Sequence, residues 1–448
     1  MRLKRARIAL VAALVAALAL SVSLTVASAH SNAAHSNATA AVAPPSVPNA
    51  AALKAKYGGK TISAYAFSGV GAGAAQAKAL FGKFTAQTGI KIKWVPQPNS
   101  SDVNYSTLTR TLGSHSSSLD VVMLDVVWPG AFAPYLADLK SLGVSTAGQS
   151  QSIVANDNVG GHQVAMPFYG DYGILYYRTD LLKKYGYSAP PTTWAQLTAM
   201  ATKIQAGERA NNPNFYGYVF QGAAYEGLTC DALEWFKSSG AGGFVDNGKV
   251  TINNPQAVAM MTMAKGWVGK ISPQAVTSYM EEDARHAFEA GDAAFMRNWP
   301  YAYSLDKASK IGKEFDVTVL PHTGSNSSVG TVGGWQLAVS KYSKNPGASA
   351  ALVGYLTSAA VEKYNAIAFS LVPTRPSVAA DKAVVAKNQW LKPAIANVMR
   401  VTRPSSGLKA KYVQGSTIIS QGLNQILTGG DVKSGLSNID SRLKQVVK

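Results

Sequence analysis

From Thr61 onward the apolar positions fall into short runs and helical stripes that alternate along the chain. Thr61–Phe67 (TISAYAF) reads as a strand. Ala74–Thr88 carries Leu80, Phe81 and Phe84 at helical spacing and stops at Gly89, a residue that readily takes the left-handed turn at a helix end. Ile90–Val95 alternates as a strand, Tyr105–Gly113 is helical, and Leu119–Leu124 is an apolar strand. This order predicts an α/β lobe on a buried parallel sheet.

Met166–Tyr177 contains a second strand-like run, ILYY, followed by a helix over Thr179–Tyr185. Pro190-Pro191-Thr192-Thr193-Trp194 turns into another helix, with Thr192 or Thr193 as the cap and Gln196 close behind. A helix-rich stretch runs to about Leu305, Phe315–Leu320 and Trp335–Val339 return to strand pattern, and the remainder is largely helical. Strands that reappear after a long helical insertion imply two lobes whose chain crosses between them more than once. The expected lobes are 57–165 with 316–358, and 166–315 with 359–448.

The amino terminus follows another pattern. Arg2–Arg7 is basic, Ile8–Leu20 is 13 uninterrupted apolar residues, and Ala27-Ser28-Ala29 is a small-x-small cleavage site. Residues 1–29 therefore read as a secretory signal peptide, with an uncleaved anchor as the competing reading. No lipid-attachable cysteine stands just after the apolar run, so lipoprotein anchoring is not expected. Residues 30–56 are rich in Ala, Ser, Asn and Pro and read as a flexible tether. The expected location is extracytoplasmic, at the cell surface.

Charge narrows the partners. The 448 residues carry 42 Lys+Arg against 24 Asp+Glu, a net +18, of which the leader's four bases supply four and leave +14. The bases are scattered and the excess comes from scarce acids, so a nucleic-acid surface is not expected. The single cysteine, Cys230, rules out an intramolecular disulfide and a cysteine-rich metal site.

Candidate chemistry is sparse. Gly69-Val70-Gly71-Ala72-Gly73-Ala74 matches a dinucleotide fingerprint, but the following strand ends in Trp94-Val95-Pro96-Gln97 without the acid that holds a ribose. No cofactor or metal is expected, because none of the six histidines is paired at ligand spacing. Asp125 and Asp171 each adjoin an apolar strand, and strand carboxyl ends are where α/β sheets bind ligands. Trp128, Tyr169, Trp299 in NWPYAY and Trp335 in VGGWQ flank glycines and prolines away from helical stripes. Flat rings on bends with carboxylates nearby suit a carbohydrate, the rings meeting C–H faces and the acids accepting hydroxyls. The same two acids read alternatively as a glycoside hydrolase pair, although no acid sits in an evident apolar pocket that would raise its pKa.

The stretches DVVMLDVVWPGAF (120–132), AMPFYGDYGILYYRTDLLKKYGYSAPPTTW (165–194), AFEAGDAAFMRNWPYAY (287–303) and VGGWQLAVSKYS (332–343) resemble the extracellular solute-binding proteins of sugar ABC transporters (family 1). Within that family they resemble the trehalose/maltose-binding proteins. The resemblance implies a two-lobe α/β clamp of the periplasmic-binding-protein kind, with hinge crossings and a ligand cleft between the lobes. It implies a monomeric, non-enzymatic receptor for a disaccharide, working with ABC permease subunits in the membrane. Asp125, Tyr169, Asp171, Trp299 and Trp335 match its ligand-binding positions, Gly333 and Gly334 allow close backbone approach, and Arg375 in VPTRPSV matches its late arginine. The family's first ligand loop carries a glutamate, whereas GVGAGAAQA here has no acid, and Asn99, Ser101 or Asn104 stand where a threonine and an arginine are expected. These departures leave open a longer oligosaccharide, a sugar alcohol or a sugar phosphate. Glu226, Cys230 and Asp231 read as packing and helix-start residues, with Cys230 buried.

Overall fold

The computed structural model describes residues 42–69, 71–390 and 399–447. The expected signal peptide and the tether up to residue 41 lie outside them. The first sheet contains β1 (Thr61–Ser68), β2 (Lys91–Gln97), β3 (Val121–Asp125), β4 (Met166–Tyr172), β9 (Val329–Val339) and β10 (Met399–Val401). Its order is β10-β9-β3-β1-β2, with β4 also paired to β9. β1 runs parallel to β2 and β3, while β9 is antiparallel to both β3 and β4. Pro96 is tolerated in β2 because that strand is an edge.

Both faces of this sheet are covered. Ile62, Ala64 and Ala66 of β1 pack with Leu80, Phe81 and Phe84 of the Gly71–Thr88 helix. Tyr65 faces the other way, toward Leu108, Leu112, Trp128 and Phe132. Alternation with period two thus feeds two cores from one strand.

The second sheet has the order β8-β5-β7-β6, from β5 (Ile174–Arg178), β6 (Tyr216–Val219), β7 (Ala293–Asn298) and β8 (Phe315–Thr318). β6 and β7 lie inside the stretch expected to be helical. Both are short and mostly buried on both faces, so neither shows the polar alternation that marks a strand. Tyr218 and Phe295 join the core around Trp194, Trp235 and Trp267, while Val219 and Met296 join the core around Phe288 and Phe315. The Trp194–Glu208 helix opens with Thr193 and Gln196 in a reciprocal capping box, as its sequence predicts.

Several expected boundaries move. β8 pairs with β5, so Asp316–Thr318 belong to the second sheet rather than the first lobe, and β10 pairs with β9, so Met399–Val401 belong to the first sheet rather than the second lobe. β4 hydrogen-bonds in the first sheet, so the chain leaves that sheet after Tyr172 rather than at residue 165. The Ala359–Phe369 helix buries Val361, Tyr364 and Phe369 in the first core, while the closing helices Tyr412–Leu427 and Val432–Val447 pack in the second. The tether ends sooner than expected. Ala50–Tyr57 is helical, Val47 is buried, its N–H donates to Gln87 Oε1 at 2.7 Å, and Tyr355 OH donates to the Pro45 carbonyl at 3.0 Å. Val47, Leu53 and Tyr57 supply the apolar contacts that offset the entropy of ordering this segment.

Candidate functional site

One strand register assembles most of the site. On β9, Trp335 lies between Asp125 of β3 and Tyr169 of β4, and Gly333 lies opposite Asp171. Positions two apart share a face of a strand, so Tyr169 and Asp171 project to the same side, as do Gly333 and Trp335. Gly334 has φ +124, and a Cβ there would stand 2.6 Å from the Tyr169 carbonyl oxygen. No L side chain fits that conformation and that contact together.

These residues line a cleft of about 200 Å3 shared by both sheets. The first sheet and its helices also contribute Asn99, Ser101, Asn104, Gly73 and Gln76, and the second side contributes Glu226, Glu281, Glu282, Trp299 and Tyr301. Trp299 follows β7. Its ring stacks on the Arg297 guanidinium at 3.9 Å, and its Nε1 donates to Glu281 Oε1 at 3.3 Å. A Cβ on Gly333 would lie 3.2 Å from the same ring, so glycine there leaves room for the indole. Trp299, Trp335 and Tyr169 are half-buried, each with surface left for a ligand.

The carboxylates occupy distinct environments. Asp171 is 8% exposed and its Oδ1 has no hydrogen-bond partner among the described residues. Burial pushes its carboxyl well above the usual range; Arg297 opposes the rise, and Glu281 and Asp125 add to it. Burial likewise raises Glu281. Glu282 is held low despite burial, because Arg285 pairs with it at 2.7 Å and Tyr301 OH donates to it at 2.5 Å. Asp102, in the first turn of the Ser101–Gly113 helix, is pushed up to about 6 by burial and by the charge of Glu226 across the cleft, against a hydrogen bond from the Glu226 amide.

Arg403 was not anticipated from sequence. Its guanidinium reaches Asp125 Oδ1 at 2.5 Å, Asp125 Oδ2 at 3.0 Å and Glu226 Oε1 at 2.8 Å. It therefore joins the first sheet to the Glu226–Ser238 helix of the second side. Glu226, expected to serve packing alone, lines the cleft and also accepts from Tyr412 OH and from Ser416 Oγ. Cys230 is buried as expected, at the edge of the same space.

Two expected site residues lie elsewhere. Trp128 is buried and meets Trp335 edge-on, with centroids 6.0 Å apart, so it braces a lining ring from behind. Arg375 is drawn off by Glu362, 3.1 Å from its Nε, and by the carbonyls of Thr357 and Ala147. Asn99 does line the cleft, where it accepts from Ser68 Oγ at 2.9 Å. Among the described residues no cluster of His, Cys, Asp and Glu could hold a metal ion, and no helix is long and apolar enough to cross a membrane.

Residues 68–363 match the family described as bacterial extracellular solute-binding protein. A Deinococcus radiodurans protein named "Probable ABC transporter-binding protein" is 45% identical over 372 residues, spanning 81% of this chain and 88% of its own length. The maltose-bound structure of T. maritima MalE3 is 35% identical with a TM-score of 0.79, covering 86% of this chain and 99% of that one. The GacH receptor of Streptomyces glaucescens, solved unliganded and with acarbose and an acarbose homolog, is 26% identical with a TM-score of 0.75, covering 87% of this chain and 99% of that one.

Proposed function

The chain belongs to the family of bacterial extracellular solute-binding proteins, and from that premise we propose that its cleft captures a disaccharide of the trehalose or maltose type for an ABC importer. The observation that carries this reading is the lining itself. Three half-buried aromatic rings face a space rich in fixed hydrogen-bond acceptors, with Arg403 as a buried donor. In this reading Trp299, Trp335 and Tyr169 pack on pyranose faces, and Asp125 and Asp171 accept hydroxyls. Hinge closure brings both sides onto the sugar. The maltose bound in a relative 35% identical to this chain supports the class of ligand. Asp125 is poorly disposed as a catalytic base, because Arg403 occupies both its oxygens.

Calorimetric titration with trehalose, maltose, sucrose, maltotriose and glucose tests this reading. Saturable binding of one of them without released glucose is expected; silence from all five would remove the sugar assignment. Asp171→Ala is expected to weaken the binding more than about tenfold, since a charge-assisted hydrogen bond contributes ~1.5–3 kcal/mol. Unchanged affinity would take Asp171 out of the site.

The Asp102 environment adds a pH dependence. Where the two sides meet, its carboxyl rises from the ordinary 3.8 to about 6, through burial and the charges of Glu226, Asp125 and Glu281. Parting the sides relieves those causes, so the closed form holds the extra proton between about 6 and 4. Closure is then favoured as pH falls through that window, by at most about tenfold per pH unit. Affinity for a neutral sugar is expected to rise from pH 7 to 5 and to lose that slope in Asp102→Asn. A flat profile in the parent protein would show that Asp102 does not sense closure.

A further inference from the structure

Acids are scarce in this chain and concentrated in its cleft. Five of its 24 Asp and Glu residues, Asp125, Asp171, Glu226, Glu281 and Glu282, line that one space, whereas Arg403 is the one Lys or Arg among the described residues that does so. Two of the five share Arg403, and Glu282 has Arg285 behind it. Asp171 and Glu281 form no ion pair among the described residues. The nearby Arg297 is already committed to Asp231 and Glu234, at 3.0 and 2.6 Å. Hydroxyl recognition needs acceptors, which amides and carbonyls supply without mutual repulsion. Gathering uncompensated carboxylates into a buried space is costly unless a positive charge arrives to face them.

Resting on the sugar-receptor reading, we propose that the cleft selects a saccharide bearing a protonated amine, seated against Asp171 and Glu281. The unpartnered Oδ1 of Asp171, on a side chain more than nine-tenths buried, is the acceptor the ammonium meets. Glu281 approaches from the opposite side, at the head of the Glu281–Glu289 helix. The same surplus of acids disfavours a sugar phosphate, whose charge would add to the repulsion.

Trehalose and its four monoamino derivatives (2-, 3-, 4- and 6-amino) test this by calorimetry on residues 30–448. At least one amine is expected to bind about tenfold more tightly than trehalose at pH 7, the difference between a charge-assisted and a neutral hydrogen bond. That preference should disappear in Glu281→Gln and in Asp171→Asn, both checked for folding by thermal melts. If trehalose binds and no amine binds more tightly, the amine preference is overturned and the sugar receptor stands. A preference that survives both substitutions overturns the assigned locus. No binding of any of the five compounds, with the neutral panel also silent, sets aside both readings.

Discussion

Arg403→Met is expected to lower the free energy of unfolding by about 3–5 kcal/mol, the cost of stranding buried carboxylates when one partner of an ion pair is removed, and to abolish ligand binding. Arg403 is 2% exposed and satisfies Asp125 and Glu226 together. Burial works against its charge, yet Asp125, Cys230, Tyr412 and Glu226 together raise its pKa well above the ordinary value. Removing it leaves two acids facing each other between the two sides of the cleft. Repulsion and desolvation would both oppose closure. Chemical denaturation reads the first effect and sugar titration the second. Arg403→Lys keeps the charge but loses the bidentate fork, so it should fall between the parent and Arg403→Met. The triple variant Arg403→Met/Asp125→Asn/Glu226→Gln should recover most of the lost stability, because the stranded charges go with their partner. A single variant as stable as the parent would show that the ion pair contributes nothing net.

Arg297→Met carries a comparable cost, again about 3–5 kcal/mol by the same reasoning, with a different signature. Arg297 is fully buried, forms two hydrogen bonds to Glu234 at 2.6 and 2.9 Å, and donates to Gln221 at 3.1 Å. Glu234 also accepts from the Thr331 amide of β9 at 3.1 Å. The pair therefore ties the second sheet to the long strand of the first. It lies directly beneath the crossing: a Cβ on Gly173, between β4 and β5, would stand 1.9 Å from Glu234 Oε1. Loss of the guanidinium also removes the support under Trp299, so affinity should fall along with stability. Burial already raises Asp231 and Glu234, with Arg297 pulling both down. Without Arg297 they rise further, the folded form binds more protons than the unfolded one, and the variant's deficit should shrink as pH falls from 7 to 5. A deficit independent of pH would indicate lost packing rather than stranded charge. Gly173→Ala should be similarly damaging, since neither carboxylate nor guanidinium has room to yield.

The cleft was partly legible in the sequence. Tryptophans beside Pro300 and Gly334, and acids adjoining apolar strands, pointed to Trp299, Trp335, Asp125 and Asp171, and all four line the cleft. Trp128 shows why the cue is incomplete. It too precedes a Pro-Gly bend, but the bend turns its ring into the core beside Phe132. The two late arginines show it more sharply. Thr374-Arg375-Pro376 and Thr402-Arg403-Pro404 are the same tripeptide. One arginine pairs with Glu362 outside the cleft and the other with Asp125 inside it. Nothing local separates them, because the distinction is which carboxylate the folded chain places within reach.

What the sequence determined by itself was local. Apolar periodicity set β1, β2, β3 and the helices between them, and Thr193 with Gln196 set the start of a helix. These follow from backbone geometry and neighbours a few residues away. Tertiary structure decided what depends on distant partners. It placed β6 and β7 as strands through burial on both faces, and it ordered residues 42–56 against a core they do not share in sequence. It also set β9 between β3 and β4, so that residues 125, 169, 171, 333 and 335 stand abreast. The charge balance of the cleft belongs to this second class. A carboxylate's cost depends on the dielectric and the counter-ions around it, and both exist only once the chain has closed around the site.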